Sequence, residues 1–194
     1  MHLTTTSRTP KLSPRKHRLA SRRGFTLVEL LAVVAIIGIL SAIALVGYRR
    51  YLTSARTANA KAVIGSIRVA EENFRAETLA YQSCSGNLTD YFPATPNGRK
   101  RHFYDQAHLQ NACWRELNVI TDSPTTFGYA LMAGGAGTSP AAPVGLASPP
   151  TWPATAAEPW YVIQAAGNED NDATQCLMVS SSFNGEIYVE NETE

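Results

Sequence analysis

The stretch Arg22-Arg23-Gly24-Phe25-Thr26-Leu27-Val28-Glu29, running straight into Leu30-Leu31-Ala32-Val33-Val34-Ala35-Ile36-Ile37-Gly38-Ile39-Leu40, decides how this chain is built. Seven basic residues, Arg8, Lys11, Arg15, Lys16, Arg18, Arg22 and Arg23, precede Gly24 with no acidic residue among them. From Leu30 to Tyr48 nineteen residues follow without a charge. As a helix rising 1.5 Å per residue, that run is about 28 Å long, close to the ~30 Å hydrocarbon core of a bilayer. Glu29 stands at its head. An ionisable group inside such a segment costs on the order of 2.5–3.5 kcal/mol on insertion scales and usually has a partner. The sequence therefore predicts a specific need for Glu29.

Three readings of this N-terminus compete. A secretory signal carries its apolar stretch ahead of the cleavage site and loses it there, but the residues up to Gly24 contain no apolar core and include Pro10 and Pro14. A plain signal anchor accounts for the basic flank, because positive charge stays cytoplasmic. It does not account for the Gly24-Phe25 junction or for Glu29.

The third reading covers all of these. Gly24-Phe25-Thr26-Leu27-Val28-Glu29-Leu30, with the apolar run Val33 to Leu40, resembles the class III leader junction of type IV pilins. The resemblance covers about Arg22 to Ala76, with a looser likeness in the last third of the chain. It implies a prepilin peptidase cutting between Gly24 and Phe25, followed by N-methylation of Phe25, and a role for Glu29 in assembly. It also implies the pilus assembly machinery, the inner membrane and further copies of the chain itself as partners. The family usually carries a proline where this chain has Val46, followed here by Gly47. Proline removes a helix hydrogen bond and glycine costs only ~1 kcal/mol relative to alanine, so unwinding of this helix in a filament is left open.

The total charge is near neutral, with 17 Lys+Arg against 16 Asp+Glu. Without the leader, ten basic residues face sixteen acidic ones, a formal −6. A mildly acidic surface argues against nucleic acid as a default partner. Segments 1–24, 25–48, 49–78 and 79–194 are expected to be leader, membrane and assembly segment, amphipathic helix and globular head. With the positive flank inside, everything after Tyr48 lies in an oxidising space where disulfides persist. Three cysteines leave the pairing formally open. Cys84–Cys113 is favoured because both lie in the irregular middle of the chain, and Cys176, opening an apolar strand, reads as a buried thiol.

The apolar run continues without Pro to about Glu77. Ala60, Val63, Ile67, Ala70 and Phe74, with Ile64, make one apolar stripe at helical spacing. Arg68 with Glu72 and Glu71 with Arg75 read as solvated i,i+4 pairs on the other side. Residues 79–125 read as irregular with one short helix, His108 to Leu117. Strands are expected at Phe127–Leu131, Trp160–Ile163, Cys176–Val179 and Glu186–Val189, with Asn184-Gly185 as a two-residue hairpin turn. The fold class is α+β: a long N-terminal helix packed on an antiparallel sheet of about four strands. Residues 133–159, with six prolines and few large apolar residues, read as an exposed or flexible loop that Trp152 pins to the body or lends to a subunit contact.

Asn168-Glu169-Asp170-Asn171-Asp172 has the oxygen spacing of a calcium loop, but Ala173 and Val179 stand where the glycine and the bidentate Glu belong. A solvated turn is the expectation, with no metal or other cofactor. Arg99-Lys100-Arg101-His102 reads as a solvated basic loop, too short for strong phosphate binding, and Tyr48 and Tyr51 as membrane-interface anchors. The mature chain keeps only His102 and His108, with no nucleophile elbow and no metal-spaced Cys-His set. No catalytic residue is expected. The function predicted is a structural subunit of a type IV pilus. The alternatives are a pseudopilin of a type II secretion system or a minor pilin, and a single-pass membrane-anchored binding protein.

Overall fold

Residues without proline, rich in Leu, Ala, Ile and Glu, propagate a helix readily. In the computed structural model, which describes residues 24–104, 110–168 and 174–192, they form α1, Leu27–Thr78. Gly38, Gly47 and Gly65 do not interrupt it. It stops at Leu79, which takes a left-handed φ of 63° and donates its N–H to Arg75 O at 2.8 Å. The contacts divide the chain into two units, Met1–Ile43 and Ala44–Glu194. In the first, the described helical side chains are exposed.

In the second unit, Ala60, Val63, Ile64, Ile67 and Ala70 are buried, the stripe expected from their spacing. They pack into one cluster with Phe127, Tyr129, Leu131, Tyr161, Ile163, Ala165 and Met178. These come from alternate positions of the strands β1 (Phe127–Gly134), β2 (Trp160–Gly167) and β3 (Cys176–Ser181), as the two-residue period of a strand requires. With β4 (Asn184–Glu190) they form an antiparallel sheet in the order β1-β2-β3-β4. Burying an Ile or Val side chain contributes about 1.5–3 kcal/mol, so this seam anchors the second half of α1.

The sheet is covered on its other face as well, in part by the 133–159 loop, whose residues are mostly exposed or half-buried, as in the excursion pinned by Trp152 that the sequence suggested. All eight residues of β2 are buried. Trp160, Val162 and Val179 form a second cluster with Leu88 and Ala156, against which Leu146 and Trp152 pack. Trp152 stacks on Phe183 at 5.5 Å and meets Tyr188 edge-on at 6.3 Å, so it pins the loop. The polar fastening was not anticipated. Gln164, fully buried, accepts the Val144 N–H at 2.9 Å and donates to Val144 O at 2.8 Å. The Glu190 carboxylate accepts the Ala147 N–H at 2.9 and 3.0 Å. Few large side chains are needed when backbone groups are held this way.

Three local expectations change. The turn between β3 and β4 falls at Ser182-Phe183, and Asn184-Gly185 begins β4. Ser180 pairs with Ile187 but Ser181 with Asn184, so a bulge takes up the slack and Phe183 reaches Trp152. The short helix α2 is Asn111–Leu117, ended by Asn118 in the left-handed region, and His108 lies outside the described residues. The solvated pairs on α1 do not form: Arg68 donates to Gly185 O at 3.0 Å, Arg75 to the Tyr81 hydroxyl at 2.8 Å, and that hydroxyl to Glu72 at 2.9 Å.

Glu71 is instead fully buried. Its Oε2 accepts the Gln82 N–H at 3.0 Å, while Oε1 has no hydrogen-bond partner among the described residues. Burial pushes the carboxyl up to about 8, with the Gln82 N–H opposing and the nearby Glu72 charge adding to the rise. The disulfide Cys84–Cys113 forms just beyond, and Cys176 is buried at the start of β3. The Cys84 and Ser85 N–H groups both donate to Leu131 O, at 3.1 and 2.9 Å, so this tied segment covers the β1 edge.

Two outcomes are expected. The folded Glu71 binds its proton more tightly than the unfolded chain does. Its contribution is therefore most favourable below about pH 4.5, falls as pH rises, and is fully lost above about pH 8. Melting of Glu71→Gln against pH should lack this decline. Gln164→Ala strands both Val144 backbone groups and should cost about 1–3 kcal/mol, with faster amide exchange at Val144.

Candidate processing and assembly site

A helix leaves its first N–H groups without partners, and a Thr three residues ahead of a Glu answers that need. Thr26 and Glu29 do so here. The Thr26 hydroxyl accepts the Glu29 N–H at 3.2 Å. In return Glu29 Oε2 accepts the Thr26 N–H at 2.9 Å and the Thr26 hydroxyl at 2.8 Å. The Leu30 N–H donates to Thr26 O at 3.2 Å, the first bond of α1. The carboxylate also sits where the helix dipole favours negative charge. Sequence reading singled out Glu29 but missed Thr26 as its mate; the Thr-x-x-Glu spacing ahead of an apolar run was the available signal.

Gly24 and Phe25 stand just outside this capped turn, in accessible backbone. A Cβ at Gly24 would meet nothing within 4 Å, and Phe25 is 82% exposed. Behind the cap, Leu31, Val34, Ile36, Ile39, Leu40 and Ile43 are each more than half exposed. The exposure runs all round the helix, and α1 contains a segment long and apolar enough to cross a membrane.

A protein-family model, the prokaryotic N-terminal methylation motif, matches residues 19–45. This chain has a type IV prepilin N-terminus. The chain is also similar to curated pilins: it is 36% identical over 66 residues to the type IV major pilin protein PilA of Myxococcus xanthus, covering 34% of this chain and 30% of that protein. It is 45% identical over 51 residues to the type IV major fimbrial protein FimA of Dichelobacter nodosus, 26% of this chain and 33% of FimA. It is 40% identical over 55 residues to a fimbrial protein of Pseudomonas aeruginosa, 28% and 36% of the two chains. The matches span about a third of the length of these relatives. No solved structure matches significantly. The α+β architecture is a long N-terminal helix packed on a four-stranded antiparallel sheet, as in the pilin fold.

The structure gathers Gly24, Phe25 and Glu29 around one helix end, with Cys84–Cys113 belonging to the head's scaffold. Of the basic loop, Arg101 pairs with Thr125 in an isolated bridge and Arg99, Lys100 and His102 are exposed. In the Asn168–Asp172 motif only Asn168 is described, and it is buried; the remaining four residues lie outside the described ones. Among the described residues no group of three or more His, Cys, Asp and Glu is placed to hold a metal.

Thr26→Val deletes the cap's side-chain acceptor and should cost about 1 kcal/mol at this helix end. The readout is faster amide exchange at Val28, Glu29 and Leu30, with the exchange of β2 unchanged.

Proposed function

We propose that this chain is a structural subunit of a type IV pilus, made as a membrane-held precursor and trimmed between Gly24 and Phe25. One observation carries the reading: the Gly24-Phe25 junction and Glu29 head a helix whose first half leaves its apolar side chains exposed. Such a surface needs lipid before assembly and sister helices afterwards. Residues 1–24 are then the leader, 25–48 the membrane and assembly segment, 49–78 the part of α1 that carries the head, and 79–194 the head itself. A prepilin peptidase would cut the leader and methylate Phe25, and a dedicated assembly machinery would draw the subunit from the inner membrane to the cell surface.

Assembly needs a rule for stagger, and Glu29 supplies it. In a bundle of parallel helices the Phe25 amine of one copy lies within reach of Glu29 in another, displaced by about one helical turn. An unpaired ion in an apolar core costs several kcal/mol, so wrong staggers are penalised. Subunit contacts that do not close on themselves propagate as a filament. Adhesion, surface motility and DNA uptake are the tasks such a filament would serve.

Fibres sheared from cells should contain this chain starting at methylated Phe25, read by N-terminal sequencing and mass spectrometry. Glu29→Ala should abolish surface fibres and Glu29→Asp retain part of them. Native material that keeps Met1, or normal fibres from Glu29→Ala, would overturn the reading.

A further inference from the structure

The basic run Arg99-Lys100-Arg101-His102, which filament assembly leaves without a task, is entered through Asn97-Gly98. Asn-Gly occurs twice in the chain, here and at Asn184-Gly185. The side-chain amide carbon of an asparagine is within ring-closing reach of the backbone nitrogen that follows it, and glycine, with no Cβ, leaves that nitrogen open to approach. What holds the amide then decides whether the two react.

At Asn97 the hold favours reaction. Pro96 behind it is buried, Asn97 and Gly98 are half-buried, and Arg99 and Lys100 are exposed. Gly98 takes a φ of 72°, and neither its N–H nor Asn97 Nδ2 has a hydrogen-bond partner among the described residues. Asn97 Oδ1 accepts the Arg99 N–H at 3.3 Å, the turn that Asn side chains make with the residue two ahead. Attack on the amide carbon drives negative charge onto that same oxygen. The Arg99 N–H is therefore a donor already aimed where charge develops. At Asn184 the same dipeptide is held the other way. It lies in β4 opposite Ser181, and its Nδ2 donates to the Tyr188 hydroxyl at 2.8 Å. Its Oδ1 is buried with no hydrogen-bond partner among the described residues, so charge developing there would meet no donor. Gly185 is fixed as well, its carbonyl accepting from Arg68 at 3.0 Å.

We infer that Asn97 is a self-modification site, converted to aspartate and isoaspartate through a succinimide closed by the Gly98 nitrogen, with water as co-reactant. The Gly98 amide gives its proton to hydroxide, and its nitrogen forms a bond to Asn97 Cγ. The Cγ–Nδ2 bond breaks, and ammonia leaves with a proton taken from water, which restores the hydroxide. Water then opens the ring. Attack at Cγ gives an aspartate on an unchanged backbone; attack at the main-chain carbonyl gives isoaspartate, whose backbone runs through the former side chain. Aspartate keeps the turn, because a carboxylate accepts the Arg99 N–H more strongly than an amide does. Isoaspartate lengthens the backbone and breaks it. Either product sets a negative charge at the entry to the basic run, whether or not the chain assembles.

The test uses the full chain, purified in detergent and held in mildly alkaline buffer made with heavy-oxygen water, with peptide mass spectrometry over time. The Asn97 peptide should take up label and split into aspartyl and isoaspartyl forms, and the intact chain should shift to the acidic side on isoelectric focusing. A hydrogen bond to a developing charge corresponds to roughly tenfold or more in rate, so Asn97 should lead Asn184 by at least that factor. In urea, where both environments are lost, the two should react at similar rates. Gly98→Ala should remove most of the label at Asn97. Asn97→Gln, which keeps an amide but cannot close this ring, should remove all of it, with amide exchange of β2 unchanged. An Asn97 that stays an amide in the folded chain while the chain in urea reacts overturns the site. Equal labelling of Asn97 and Asn184 in the folded chain overturns it too, as does label at Asn97 that persists at the parent rate in Gly98→Ala.

Discussion

The seam between the second half of α1 and the sheet is the contact on which the remaining structure depends. Ile64 and Ile67 are fully buried against Tyr129, Leu131, Ile163 and Met178, and few of these side chains have a polar alternative. Once the seam is made, the other face of α1 is left over, and the sheet presents its far side to the 133–159 loop. The loop platform is a consequence of which stripe of the helix was apolar enough to be committed to the sheet.

The disulfide segment takes its place from the same seam. Tyr81 packs edge-on against Tyr161 at 4.8 Å while its hydroxyl sits between Arg75 and Glu72. The buried Glu71 holds Gln82 from below. The chain leaving α1 is thereby directed along the β1 edge, where Cys84 meets Cys113 and the Phe92–Tyr129 bridge completes the cover. An acidic group in that position is tolerated because it keeps its proton at neutral pH.

Much of this is legible in the order of the residues alone. The 3,4 spacing of Ala60, Val63, Ile67 and Ala70 locates the buried stripe, and strand alternation locates the sheet. What escapes is set by long-range contacts. Glu71 lies one position from Ala70 and reads as solvated by spacing alone; only the return of Gln82 beneath the helix buries it. Asn184-Gly185 is a strong local turn signal, but the docking of Phe183 on Trp152 and the register of Met178 with Val189 move the turn two residues earlier. The Pro- and Ala-rich loop is as exposed as its composition suggests and Trp152 pins it, but its further fastening runs through the Val144 and Ala147 backbone, which composition cannot reveal. Thr26 is the reverse case, a local signal present and unread.

The cap at Thr26 gives the Glu29 carboxylate an occupation before a neighbour arrives. The single chain therefore leaves this carboxylate bonded at its own helix end, and in the filament proposed above joining would exchange a bond within the chain for one between chains. A cap of this kind contributes about 1 kcal/mol, so releasing it would cost little. An amine presented in the wrong place would leave the carboxylate where it began, bonded to its own first turn.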